Sequence, residues 1–129
     1  MSKVLAACTA ALDCAQSPAE EFTRADVCKA AIAIEMGRDT SIMKTVEDGN
    51  IPVISYVRED DLQRFVYRCK FNGNQVIWAA YFEEERSWGR WRDSAGFGDA
   101  TIKFAVAGSD LLMKSDQSGA ATFTKSQFK

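Results

Sequence analysis

The feature that most constrains the fold is a pair of β-rich segments on either side of Asn72-Gly73. Apolar and mostly cationic side chains alternate at period two over residues 64–71, and an apolar segment returns over residues 75–82. Asn-Gly tolerates the positive φ angles of a two-residue hairpin turn. We therefore predict an antiparallel hairpin that places Cys69 opposite Val76 and Tyr67 opposite Trp78.

Further β-rich segments flank this hairpin and are separated by short polar or glycine-containing turns. One precedes the hairpin and three follow it, at residues 52–57, 101–106, 111–113 and 121–124. Consecutive strands joined by short turns favour an antiparallel meander. We expect about six strands in one curled sheet that closes toward a small barrel.

A helix should precede the sheet. Thr23 can cap the backbone N–H of Asp26, whose carboxylate suits the positive end of a helix, so the helix should begin at Arg24. Gly37 is placed to end it in a left-handed conformation. The polar residues between them form no single face, so the helix should be largely covered. These patterns predict one α+β domain over residues 20–129, with one main helix packed on the meander.

Composition narrows the classes of function. The 16 basic and 18 acidic residues are intermixed, so no global field favours nucleic acid, and no segment suggests stable membrane insertion. Histidine is absent, which removes the usual general base and the commonest zinc ligand. No CxxC motif occurs, so we predict no metal and no cofactor.

The first 19 residues have the shape of a secretory signal peptide. Lys3 precedes an uncharged, mostly apolar run that reaches Leu12, and small residues at Ser17 and Ala19 would permit cleavage before Glu20. This predicts an exported, periplasmic protein. The alternative is an additional helix over residues 3–16 in a cytoplasmic protein, because Asp13 interrupts the apolar run.

The number of cysteines in the mature protein depends on whether the signal peptide is cleaved. If residues 1–19 are removed, Cys28 and Cys69 are the two that remain. They lie on the predicted helix and on the inward phase of the predicted strand, so they could form a disulfide across the helix–sheet interface. The alternative is two buried thiols that never pair.

Residues 81–99 contain the most unusual composition in the chain, with two tryptophans, three arginines and three glutamates where the meander is interrupted. Trp and Arg often dominate binding energy at protein interfaces. We predict a site for a protein partner, and its candidate residues are Trp88, Arg90, Trp91, Arg92 and Phe97. The alternative is that the tryptophans close one end of the sheet. Nucleic acid is disfavoured because residues 83–85 are all glutamate.

Two other functions stay open. A small-ligand carrier would need a pocket in the curled sheet behind Tyr67 and Trp78. A hydrolase would pair a glutamate of residues 83–85 with Asp93 or Asp99 as acid and base. We expect a non-enzymatic binding module, acting as an inhibitor, immunity or exclusion factor.

Five short segments carry a resemblance, and they read VCKAAIA, MGRD, YRC, NGNQVIWA and GRWRD at residues 27–33, 36–39, 67–69, 72–79 and 89–93. In this order they resemble a group of small exported bacterial proteins of unknown function. The resemblance implies export and the pairing of Cys28 with Cys69. It brings no activity or ligand.

Overall fold

The fold is seen in a computed structural model that describes residues 22–129. The predicted signal peptide, with Cys8 and Cys14, lies outside the described residues.

Helix α1 spans Arg24–Met36, as predicted. Thr23 accepts a hydrogen bond from the Asp26 backbone N–H at 3.1 Å, and Asp26 accepts one from the Thr23 N–H at 3.1 Å. These reciprocal bonds form a capping box that satisfies two backbone donors. Gly37 ends the helix at φ 65°. Most of the helix is buried, including its polar residues Asp26 and Lys29.

The other main element is an antiparallel sheet that curls around α1 as a half-barrel. Its strands are β1 Lys44–Glu47, β2 Val53–Val57, β3 Arg64–Asn72, β4 Gln75–Phe82, β5 Ser87–Trp88, β6 Ile102–Ala107, β7 Asp110–Ser115 and β8 Gly119–Thr124. The strand order is β1-β2-β3-β4-β6-β7-β8, and β5 pairs with β4. The predicted α+β class and meander are confirmed.

The sheet has eight strands rather than about six. The two that were not predicted are β1, whose residues are all exposed, and β5, which has only two residues. Both lack the apolar alternation that reveals a half-buried strand. They form because each pairs with a longer, well-defined neighbour.

The predicted register of the β3–β4 hairpin is wrong by two residues. Cys69 lies opposite Trp78, and Tyr67 lies opposite Ala80. Asn72 pairs with Gln75, so the turn centres on residues 73 and 74, with Gly73 at φ 61°. Glycine at the first central position suits a type II′ turn, which needs one positive φ rather than two. Side chains alternate at period two, so this shift changes the partners but leaves every side chain on its predicted face.

The sheet therefore has an inner face toward α1 and an outer face away from it. On β3 the inner face carries Tyr67 and Cys69, and the outer face carries Arg68 and Lys70. Cys69 forms a disulfide with Cys28 of α1, as predicted, with a Cα–Cα distance of 5.8 Å. The bond ties the helix to the middle of the sheet.

Candidate functional site

Asp99 organises the loop of residues 88–97. Its carboxylate accepts hydrogen bonds from Arg90 Nη1 at 2.7 Å and Nη2 at 2.9 Å, and from the Ser94 backbone N–H at 3.0 Å. Arg92 Nη1 lies 3.9 Å away. The hydrogen bonds from Arg90 are the main reason why the pKa of Asp99 falls to about 2. The carboxylate therefore stays ionised and holds the two ends of the loop together.

The first part of the loop runs along the edge of β4. Trp88 pairs with Tyr81, the Gly89 N–H donates to the Ala80 carbonyl at 2.8 Å, and the Arg92 N–H donates to the Trp78 carbonyl at 2.8 Å. A side chain at Gly89 would collide with Phe82, because a Cβ there would lie 2.5 Å from its ring. This segment occupies the edge of β4 that β6 leaves free, since β6 pairs only with Gln75 and Val76.

Both tryptophans of the loop pack on cations of the outer face. The Arg68 guanidinium carbon lies 4.4 Å from the ring centre of Trp88 and 4.6 Å from that of Trp91. Lys70 Nζ lies 4.6 Å from the ring centre of Trp91. Each contact has the geometry of a cation–π interaction. We call these four residues the Trp–Arg ladder.

The positions of the two tryptophans match neither a freely exposed binding surface nor a plug at one end of the sheet. Trp88 and Trp91 are half-buried, so they neither project freely nor close the end of a core. They fix the loop to the outer face of the sheet. Arg68 and Lys70 were not among the predicted site residues. Their alternation along β3 placed them on the outer face but could not show that the loop folds back over them.

Phe97 is the most exposed of the predicted site residues. It ends a 3-10 helix at Ala95–Phe97, and 76% of its surface is accessible. The Arg90 guanidinium lies 5.1 Å from its ring centre, and Gln117 Nε2 donates to the Gly98 carbonyl at 3.0 Å. Arg90 and the turn between β7 and β8 thus support an aromatic side chain that faces solvent.

The carboxylates proposed for a hydrolase do not have the surroundings of an acid–base pair. Residues 83–85 form an exposed turn, and Glu83 lies 3.5 Å from Arg64. Asp99, at a pKa of about 2, is not a proton donor near neutral pH. Within residues 22–129 there is no cluster of three or more acidic or cysteine side chains that could hold a metal ion. The hydrolase stays a prediction.

Tyr67 and Trp78 pack in a row of aromatic rings at the core. These two rings meet edge to face with centroids 5.6 Å apart, and Tyr56 stacks on Tyr67 at 6.0 Å. Burial raises the pKa of the Tyr67 hydroxyl. A groove of about 690 Å³ opens elsewhere, between the start of α1 and the strands β3 and β6, lined by Phe22, Val27, Phe71, Phe104 and Val106 among others. This groove does not include Tyr67 or Trp78, so the carrier with a pocket behind those two residues stays a prediction.

The fold separates charge between the two faces of the sheet. Strand pairing places every charged residue of the eight strands on the outer face, and these residues are Lys44, Glu47, Arg64, Arg68, Lys70, Lys103, Asp110 and Lys114. Six are basic and two are acidic, although the whole chain has a formal charge of -2. The outer face is therefore cationic, which the intermixed charges of the sequence do not suggest.

No protein-family model, curated protein or solved structure matches the chain. Within residues 22–129, the single α-helix is too short and too polar to cross a membrane.

Proposed function

We propose that the protein is a non-enzymatic binding module of the bacterial cell envelope, and that it engages a protein partner through the 88–97 loop as an inhibitor, immunity or exclusion factor. The observation that carries this proposal is the exposure of Phe97, with 76% of its surface accessible, on a loop that the ion pair between Asp99 and Arg90 holds in place.

A fixed loop favours binding because little conformational entropy is lost when a partner contacts it. Asp99 holds the two ends of the loop, and the Trp–Arg ladder holds its first half against the sheet. Phe97 can then insert into a partner pocket as an aromatic anchor, with the cation of Arg90 beside it. Arg92 contributes charge near Asp99 and lies over Trp78 at 5.2 Å.

Export is part of this proposal. The disulfide between Cys28 and Cys69 supports it, because structural disulfides persist mainly in oxidising compartments. The resemblance to exported bacterial proteins points the same way, and both are consistent with the periplasm.

The proposal is tested by capture from envelope extracts of the producing cells, with the native chain and two single variants as baits. Phe97→Ala removes the proposed anchor. Leu62→Ala is the matched control, because Leu62 is also 76% exposed but lies in the turn between β2 and β3. Truncating a central anchor commonly weakens binding by about 2 kcal/mol or more. We expect a partner that native and Leu62→Ala baits retain and that Phe97→Ala loses.

Equal capture by Phe97→Ala and by the native chain would rule out this loop as the contact. Mass spectrometry of the protein from the same cells tests export. We expect Glu20 as the first residue and an oxidised Cys28–Cys69 pair. A retained Met1 with reduced Cys28 would place the protein in the cytoplasm instead.

A further inference from the structure

The outer face of the sheet has a charge that its own surroundings do not neutralise. Of its six cations, one forms an ion pair within residues 22–129, between Arg64 and Glu83 at 3.5 Å. Most acidic residues lie in turns, away from the strands. An unpaired cationic face on a chain of negative net charge suggests a ligand of opposite charge.

Two of these cations face each other directly. Lys103 of β6 pairs with Lys114 of β7, and both are exposed. Like charges directly opposite each other destabilise an antiparallel pair. Neither lysine forms an ion pair with a carboxylate in the described part of the chain. An anionic ligand would relieve the repulsion between them.

Two further cations of the outer face, Arg68 and Lys70, belong to the Trp–Arg ladder. Arg68 and Lys70 form no hydrogen bond or ion pair with a side chain of residues 22–129, and Arg68 Nε is buried without an acceptor. Stacking on Trp88 and Trp91 fixes their positions, so they lose little freedom on binding an anion. They are two residues apart on one strand, a separation of about 6.8 Å, which matches alternate side chains of an extended peptide.

We propose that the outer face binds an acidic polypeptide segment, with Arg68, Lys70, Lys103 and Lys114 contacting its carboxylates. The inference rests on the proposed function, since it names the chemistry of the partner. Single-stranded nucleic acid fits less well, because it needs open aromatic faces for base stacking and a cation of the ladder already occupies a face of each indole.

The test measures affinity for a capped eight-residue peptide of alternating Glu and Ser by calorimetry at low salt. The variant Lys103→Glu/Lys114→Glu reverses two charges and keeps a like-charged pair, so the sheet is not newly penalised. The control Arg38→Glu/Lys129→Glu makes the same change of net charge at exposed residues off the outer face. We expect about tenfold weaker binding for the first variant and a change of less than about twofold for the control.

Circular dichroism checks that both variants are folded, and Lys103→Gln/Lys114→Gln replaces the first if it is not. Three results would overturn the inference. These are no binding of the acidic peptide by the native chain, equal weakening in both double variants, or tighter binding of oligothymidylate or phosphatidylglycerol vesicles than of the peptide.

The two proposals can fail separately. Phe97 lies outside the outer face, so Phe97→Ala should bind the acidic peptide as the native chain does. If that variant loses the captured partner and keeps the peptide, both proposals stand. If peptide binding is normal and partner capture is unchanged in Phe97→Ala, the 88–97 loop is excluded while the acidic ligand is retained.

Discussion

Asp99 accepts hydrogen bonds from Arg90 and from the backbone of Ser94 while its own side chain is only 5% exposed. In the sequence this aspartate was a candidate acid or base. Its environment instead keeps it ionised, because two guanidinium N–H donors and one backbone donor favour the charged form. One carboxylate thus determines the shape of the loop that presents Phe97.

The pKa of Asp99 predicts how stability changes with pH. It is about 2 in the fold, below about 3.9 in an unfolded chain, so its stabilising contribution is present above pH 4 and is lost as pH falls toward 2. Asp99→Asn should be less stable than the native chain at pH 7. Its free energy of unfolding should also fall less steeply than that of the native chain between pH 4 and pH 2. Urea unfolding across that pH range measures both effects.

Asp61 offers the matched control for Asp99. Hydrogen bonding with Arg58 holds its pKa at about 2 as well, but it lies in the turn between β2 and β3. In Asp61→Asn, too, the free energy of unfolding should fall less steeply between pH 4 and pH 2 than in the native chain. Only Asp99→Asn should change the emission of the tryptophans, since Trp88 and Trp91 belong to the loop that Asp99 holds. Identical emission from the two variants would show that Asp99 does not position the loop.

The β3–β4 hairpin shows what local patterns can and cannot predict about an element. Alternation and the turn residues identified both strands and their faces. The predicted register was wrong because Asn-Gly can occupy different positions of a turn. Asn72 does not lie in the turn but extends the strand pairing, since it is opposite Gln75. Pairing partners depend on which residue adopts the positive φ, and the residue types alone left that choice open.

The turn geometry can be tested at Gly73. Its φ of 61° is unfavourable for a residue with a Cβ, so Gly73→Ala should reduce the free energy of unfolding by about 1 kcal/mol. Gly49→Ala is the control, because Gly49 also has open space around a Cβ but no positive φ. It should leave stability unchanged or raise it by about 0.5 kcal/mol. Equal effects in urea unfolding would contradict the assigned turn.

At the scale of the whole molecule, the disulfide joins the buried helix to the sheet that curls around it. Cys28 and Cys69 are 41 residues apart, and closing a loop of that length stabilises a fold by about 4 kcal/mol on the chain-entropy model. Cys28→Ala/Cys69→Ala should lose about this amount in urea unfolding. Adding reductant should lower the free energy of unfolding of the native chain and leave that of the double variant unchanged. A loss below about 1 kcal/mol would mean that packing alone holds α1 in place.

The sequence by itself determined the features that depend on neighbouring residues. The capping box at Thr23 and Asp26, the end of α1 at Gly37 and the inward phase of Cys69 follow from spacing along one helix or strand. Those patterns were sufficient for the α+β class and were consistent with a disulfide, although two free thiols were also possible.

Only the tertiary structure decided what depends on distant residues. Trp88 and Trp91 meet Arg68 about 20 residues away, and the cationic outer face arises from charges on four strands that the chain order intersperses with acidic turns. Composition counts charges but not the directions in which side chains point. Strand pairing sets those directions, because it gives each strand one face toward α1 and one toward solvent.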